Sequence, residues 1–443
     1  MLKACHKEPL LQRDLHVRGA TFQPVTAISS ATLANGMPLY RIAVPGTRAV
    51  TILVAFDAGA RTERPQENGM AHFLEHLVFK GGEKYPTYRA VNEAAEGIGA
   101  VLNAYTSHDL VAFHITARAE RAPEAADLLT DFVGRPGIDA GELDRERGVV
   151  VQEIARADDQ PAAVAEHLID EAAFGQHPLG RPVLGPAEHI RETFTRAGII
   201  AFRSRRWSPG RGAAFAVGNL GSLPADGALE ELFARFQARP APERYEPAPS
   251  FAPRTLVRER DSNQSHLRMS YRPGVEVSDP GQRAALVIYS TLLGGSMGSR
   301  LFDEIREQRG LAYSVHSVAH AYADVPVLQL SAGLDSSKCI EAYRRMREIV
   351  SELRERGPTP AEVQRARAYA AGARAIAFEN TTAVARFAAQ QTIVRGEEVD
   401  PDAMIEQLDR VTLEDVREVA GQVADQLSVA CVGPHTVEEL QSA

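Results

Sequence analysis

Apolar positions along the chain fall into strand-like and helix-like runs, and the order of those runs occurs twice. Met37 to Val44 and Val50 to Phe56 alternate or run apolar and β-branched around Pro45-Gly46-Thr47, a pattern that predicts a hairpin. The stretch from Glu67 to Lys80 reads as one helix ending at Gly81-Gly82, and a second helix, Tyr88 to Ile98, closes at Gly99. Val101 to Tyr105 and Leu110 to Arg118 predict two strands joined by the polar turn Ser107-His108-Asp109. His108 is expected to be a solvated turn residue and His114 a strand residue on one sheet face. Arg121 to Val133 is helical up to Pro136-Gly137, and Asp139, three residues before Glu142, caps a helix that continues through Arg156. Pro161 to Phe174 is a further helix, followed by a Gly/Pro-rich loop through Gly185, helices to about Arg206, a strand near Ala213 to Val217 and a helix from Leu229 to Phe236. His167, His177 and His189 lack a second ligand at metal spacing and are expected at the surface.

Residues 1–24 read as an irregular arm. A proline-rich, semi-extended linker, residues 238–253, separates residues 25–237 from residues 254–443. Beyond it come a strand at Ser265 to Tyr271, a helix at Ala284 to Leu293, Gly294-Gly295, strands at Leu311 to His320 and Val327 to Ala332, and a helix at Ser337 to Glu355. Pro358-Thr359-Pro360-Ala361-Glu362 then opens a long helix. The first half has the same order, and a shift of 220 places Glu142-Leu143 on Glu362-Val363. Under that shift Glu146 falls on Ala366 and Glu153 on Ala373. The scaffold is therefore duplicated, while those carboxylates belong to the first copy alone.

At 443 residues the chain is too long for a single core and divides into two domains of roughly 200 residues each. A net charge of -9 lacks the basic field that nucleic-acid binding needs, but leaves basic peptides open as partners. Cys5, Cys339 and Cys431 are odd in number and far apart along the chain, which argues against a disulfide framework or a cysteine zinc site and fits a reducing compartment. With no signal-like start and no stretch apolar enough to span a bilayer, the expectation is a cytoplasmic protein without membrane contact.

The chemistry concentrates in His72-Phe73-Leu74-Glu75-His76. Residues four apart on a helix share a face, so His72 and His76 can offer both imidazoles to one cation, as zinc ligands do. Glu75 leans to the same side, where a carboxylate could take a proton from a metal-bound water. Met70, Phe73, Leu74, Leu77 and Val78 cover the remaining faces, so the helix is expected to be buried nearly all round, with its site at the floor of a cavity. Catalytic zinc usually has three protein ligands and one open position, so a third ligand must come from elsewhere. On the Asp139-capped helix, Glu146 and Glu153 lie seven apart on one partly apolar face. From that helix alone, a salt bridge to a neighbouring Arg is favoured over metal ligation.

Taken together, these residues resemble the pitrilysin and mitochondrial-processing-peptidase group of inverted zincins, marked by His-x-x-Glu-His followed much later by a ligand Glu. The interval here, 153 - 76 = 77, is similar to the family's, so the resemblance implies Glu153 as third ligand and Glu146 as the outer carboxylate that orients the site. Leu293 to Tyr313 resembles the family's later signature. It implies that Arg306 and Tyr313 contact the substrate carbonyl, where both could donate hydrogen bonds to a developing oxyanion. Leu102-Asn103-Ala104-Tyr105-Thr106 resembles the edge strand that accepts substrate as an added strand, with Asn103 and Ala104 in its middle. Gln152 departs from the Glu that relatives often carry there.

The resemblance implies an α+β fold of two homologous domains, each a mixed, mainly antiparallel sheet packed with helices, the first holding one Zn2+ per chain and the second no metal. It implies a zinc endopeptidase cleaving extended peptides or unfolded segments, with Glu75 as general base. Because family enzymes enclose a chamber from four such repeats and this chain has two, a homodimer is expected, or a heterodimer with a related subunit. In that assembly Arg306 and Tyr313 would complete the partner's site. The rival reading is a noncatalytic peptide-binding or assembly subunit of the same fold.

Overall fold

In the computed structural model, which describes residues 27–443, each half of the chain is built on one sheet. The arm expected over residues 1–24 lies outside the described residues. The first sheet contains β1 (Ala27–Thr32), β2 (Pro38–Ala43), β3 (Ala49–Phe56), β4 (Val101–Thr106), β5 (Val111–Arg118) and β6 (Gly212–Gly218), in the spatial order β1-β2-β6-β3-β5-β4. The second contains β7 (Thr255–Glu259), β8 (Gln264–Tyr271), β9 (Ala312–Ala321), β10 (Pro326–Asp335) and β11 (Ser428–Gly433), in the order β7-β11-β8-β10-β9. From β2 onward the orders correspond strand for strand, and so do the directions: β2 with β6 and β7 with β11 are parallel, and the other matched pairs antiparallel. The duplicated, mainly antiparallel α+β architecture is thus present.

The predicted hairpin is not. β2 and β3 form where the apolar runs predict them, but β6 lies between them. Its seven residues, Gly-Ala-Ala-Phe-Ala-Val-Gly, are all buried, and a strand buried on both faces needs a ladder along each edge. Residues 44–48 therefore span two strand spacings, about 9–10 Å, rather than folding a tight turn.

The helices of the first half are α1 (Met70–Val78), α2 (Tyr88–Gly97), α3 (Ala122–Gly134), α4 (Ala140–Asp159), α5 (Pro161–Phe174), α6 (Arg196–Arg206) and α7 (Asp226–Phe233). Those of the second are α8 (Pro280–Ser290), α9 (Cys339–Arg356), α10 (Pro360–Phe378), α11 (Thr381–Ala389), α12 (Pro401–Arg410), α13 (Leu413–Gln422) and α14 (Val437–Gln441). β3 is buried on both faces, which explains why its run shows no clean alternation. Val50, Ile52, Val54 and Phe56 join a core with Phe73, Leu77, Phe132 and Phe202, whereas Leu53 and Ala55 on the opposite face meet Val384 and Ala388 of α11.

That second contact is reciprocated. Ile169 and Ala172 of α5 pack on Ala430 of β11, so each half lends one helix to cover the other half's sheet. Hydroxyls tie the exchange, with Thr51 Oγ1 2.8 Å from Thr381 Oγ1 and Ser428 Oγ donating to Ala172 O at 3.0 Å. Each large apolar side chain buried across this seam contributes about 1.5–3 kcal/mol, so the halves are held as one body. No described helix is long and apolar enough to cross a membrane.

Candidate metal centre

α1 carries the site, and its start is fixed by two devices. Gly69 adopts φ 95°, and a Cβ there would meet Leu184 O at 2.6 Å, so only glycine fits. The buried Glu63 carboxylate then accepts from Gly69 N at 2.9 Å, Ala71 N at 2.7 Å and Asn68 Nδ2 at 3.2 Å, satisfying the free amides at the helix start. Burial raises Glu63 to about 8, with the hydrogen bonds from Ala71 and Gly69 pulling the other way. Nothing in the sequence singles out Glu63, because its cap reaches over a loop rather than from the N-cap position. Glu63→Ala is expected to lower stability by about 2 kcal/mol, measured by urea unfolding, and to weaken zinc retention, because the amides lose their acceptor beside His72.

With Phe73, Leu74 and Leu77 buried in the core, His72 and His76 meet edge to face on the other side of α1, ring centroids 4.7 Å apart. α4 packs alongside and brings its two acidic residues to different edges of that pair. Glu153 Oε2 lies 3.4 Å from His76 Nε2 and 3.9 Å from His72 Nε2. Ligand atoms on tetrahedral zinc are separated by about 3.3–3.4 Å, given bonds of roughly 2.0–2.1 Å, so this trio fits the ion with little movement. Glu146 instead takes the other ring nitrogen, His76 Nδ1, at 2.9 Å and Lys80 Nζ at 2.6 Å. The Arg partner expected from the helix alone is thus replaced by His76 of α1 and Lys80 in the turn that follows it. Holding Nδ1 on a carboxylate leaves Nε2 as the donor, the usual outer support of a metal-bound imidazole.

The charges agree with this division. Burial pushes His76 down, but its hydrogen bonds to Glu146 and Glu153 outweigh that and raise it to about 9. Burial and the neighbouring His76 hold His72 down at about 4. Two carboxylates around two imidazoles thus attract positive charge to the point where the donors meet. Glu75, raised above the ordinary carboxylate range by burial, accepts a hydrogen bond from Thr106 Oγ1 at 2.5 Å. Through Thr106 the acid is tied to β4, which has a strand partner on one side only among the described residues. Exposed Asn103 and half-buried Ala104 lie on that strand.

Other expectations change. Glu153 is 43% exposed, so the donor trio is open to solvent on that side, and a cavity of about 1170 Å³ lies between the halves, lined by His108, Arg283, His320 and Tyr322. Within the chain, Arg306 and Tyr313 are not brought to the histidines. Arg306, in the turn-like helix Phe302–Gln308, lies over the Phe302 ring at 4.7 Å, and Tyr313, half exposed on the outer strand β9, lies against Gly333. His108 is not a solvated turn residue: its Nε2 is 3.1 Å from Arg181 O and its ring meets Tyr322, because the second half covers the turn. His177 is buried for the same reason, its Nδ1 accepting from Leu179 N and its Nε2 facing Glu246 O of the linker.

Fold and donor set together give a two-repeat α+β protein in which His72 and His76 of one helix converge with Glu153 of another. The chain belongs to the insulinase family, peptidase family M16: that family's signature matches residues 41–187, and the family's "inactive domain" signature matches residues 193–369. It is 30% identical over 409 residues to the uncharacterized zinc protease YmxG of Bacillus subtilis, covering 92% of this chain and 98% of that one. The beta subunit of the mitochondrial-processing peptidase of Saccharomyces cerevisiae is 26% identical over 408 residues, covering 87% of this chain and 86% of that one. Among solved structures, a peptidase M16 inactive domain from Pseudomonas fluorescens superposes with a TM-score of 0.84 at 20% identity, covering 92% of this chain and 98% of that one. A protease from Helicobacter pylori gives 0.80 at 21% identity, covering 93% of this chain and all of that one.

Proposed function

We propose that this protein is a zinc-dependent endopeptidase acting on extended peptides or unfolded segments. The observation that carries the reading is the convergence of Glu153 Oε2 on the Nε2 atoms of His72 and His76. These three residues would hold one Zn2+ per chain, and zinc, when bound, activates its water and polarises the scissile carbonyl. Glu75 takes the proton from the attacking water and returns it to the leaving amine, its carboxylate steadied by Thr106. An extended peptide pairs with the free edge of β4 at Asn103 and Ala104, which recognises backbone rather than sequence. The relatives' names as zinc proteases support the same reading. Two free thiols, Cys339 and Cys431, suit a cytoplasmic, reducing location.

Arg306 and Tyr313 enter this scheme from a second subunit. Both are exposed on the second half, away from their own chain's histidines, and both are hydrogen-bond donors suited to an oxyanion. The expected assembly is a homodimer that closes a chamber over the open metal face. Mixing Glu75→Gln chains with Tyr313→Phe chains is expected to restore peptide hydrolysis that neither has alone, and an absence of recovery would contradict the exchange. The reading itself is tested by incubating the zinc-loaded protein with a mixed peptide library, with and without chelator. Chelator-sensitive internal cleavage is expected. Bound zinc without such cleavage would instead favour the noncatalytic subunit.

A further inference from the structure

The second half, in which Ala366 and Ala373 stand where the first has Glu146 and Glu153, holds another convergence of donors. Cys339 is the first residue of α9, and Cys431 lies in the middle of the fully buried strand β11. His435 follows two residues after β11 ends. The two sulfurs and a ring nitrogen of His435 all lie within 4.8 Å of one another, and all three residues are buried. Distance along the chain therefore misleads for the cysteines: two of the three meet.

The surroundings fit a cation better than a patch of core. The buried Ser265 hydroxyl lies 2.8 Å from His435 Nε2 and donates to Ser336 Oγ at 2.9 Å, adding an oxygen to the sulfur and nitrogen donors. A Cβ on Gly433 would meet Ser265 Oγ at 2.4 Å, so glycine is what lets the His435 loop fold this close over the cluster. On the far side of the ring, Nδ1 faces Glu439 Oε2 at 3.6 Å, an oxygen that also accepts from Thr436 N at 3.0 Å. Pro434 and Thr436 on either side of His435 are exposed, so the buried imidazole sits in a loop that otherwise lies at the surface.

We propose that Cys339, Cys431 and His435 form a second metal site, taking one thiophilic divalent cation of the zinc class, with Ser265 as the adjoining oxygen. Bonds of roughly 2.3 Å to sulfur and 2.0–2.1 Å to nitrogen would place the donors about 3.5–3.8 Å apart, a contraction that side-chain rotation supplies. Two thiolates and an imidazole select soft and borderline cations over magnesium or calcium. The role is structural: the site clips the start of α9 to β11 and to the final loop, independently of any peptidase activity.

The first centre contains no sulfur, so a sulfur signature reports the second alone. The test uses the full-length chain carrying Cys5→Ala, kept reduced with a phosphine and titrated with Co2+. Thiolate-to-cobalt charge-transfer absorption is expected to saturate within the two equivalents that both centres together take, to persist in His72→Ala, and to vanish in Cys431→Ala. X-ray absorption of the zinc-loaded Cys5→Ala protein, which needs no core substitution, is expected to show sulfur scattering at about 2.3 Å. Cobalt binding with no charge-transfer band, or a zinc spectrum of nitrogen and oxygen neighbours only, overturns the proposal.

Discussion

Glu75→Gln is expected to retain zinc at the stoichiometry of the parent and to lower peptide hydrolysis by about 10²–10⁴-fold, the usual effect of removing a positioned general base. The amide keeps the shape of the carboxylate and can still meet Thr106 Oγ1, so the position of β4 is preserved. What it loses is the ability to accept a proton from water. His72, His76 and Glu153 are untouched, and Glu146 still holds His76 Nδ1, so metal content and kinetics separate cleanly. Metal analysis together with kcat on one cleaved peptide checks both halves of the expectation. A Glu75→Gln protein that holds zinc and cleaves at the parent rate would remove Glu75 from the chemistry.

The centre is legible in the sequence where it obeys a helical period. His72, Glu75 and His76 follow from spacing on one helix, and Glu146 and Glu153 share a face because seven residues make two turns. That Glu153 reaches the imidazoles while Glu146 stands behind one of them is a fact of how α4 lies along α1, and spacing alone leaves it open. The resemblance to a known family supplied that step. Lys80, four residues after His76 and just past the end of α1, is within reach of the same spacing argument. Glu63 was not, since its partners are backbone amides met through a loop.

Pairing in the sheets shows the same boundary. β2, β3, β5 and β10 are visible as apolar runs, but the insertion of β6 depends on strands nearly 170 residues apart in the chain, which no local pattern records. β1, β7 and β11 escape notice for different reasons. The first has every residue exposed, the second is half-exposed and short, and the third is a brief buried run behind a series of helices. Local polarity predicts His108 and His177 at the surface because it is blind to burial by the rest of a duplicated chain. The same blindness hid Arg61, a charged residue in a short helical turn that is almost completely buried.

Arg61→Met is expected to destabilise the protein by about 3–5 kcal/mol near pH 8, the cost of removing one partner from a buried ion pair. The guanidinium joins three parts of the chain: Nη2 donates to Asp324 Oδ2 in the β9–β10 turn at 2.8 Å and to Glu246 O in the linker at 2.9 Å, while the cation lies 3.9 Å from the Tyr245 ring centroid. Asp109 adds a second carboxylate at 3.6 Å. Burial pushes Asp324 up, but the hydrogen bonds from Arg61 and Ala248 N outweigh it and hold the carboxyl below its usual range. Asp109 is raised to about 6 by burial, with Arg61 opposing. In the parent, Asp324 therefore contributes stability above its unfolded pKa of 3.8 that is lost only as pH falls through its lower folded value. Without the cation both folded pKa values rise, Asp109's from one already above 3.8 and Asp324's from one below it, so the folded variant holds protons to higher pH than the folded parent. Its deficit relative to the parent should then shrink as pH falls from 8 to 5, in paired urea unfolding curves. A deficit independent of pH would assign the loss to packing against Tyr245 instead of charge. Met keeps much of the aliphatic volume, which makes the pH dependence the discriminating measurement.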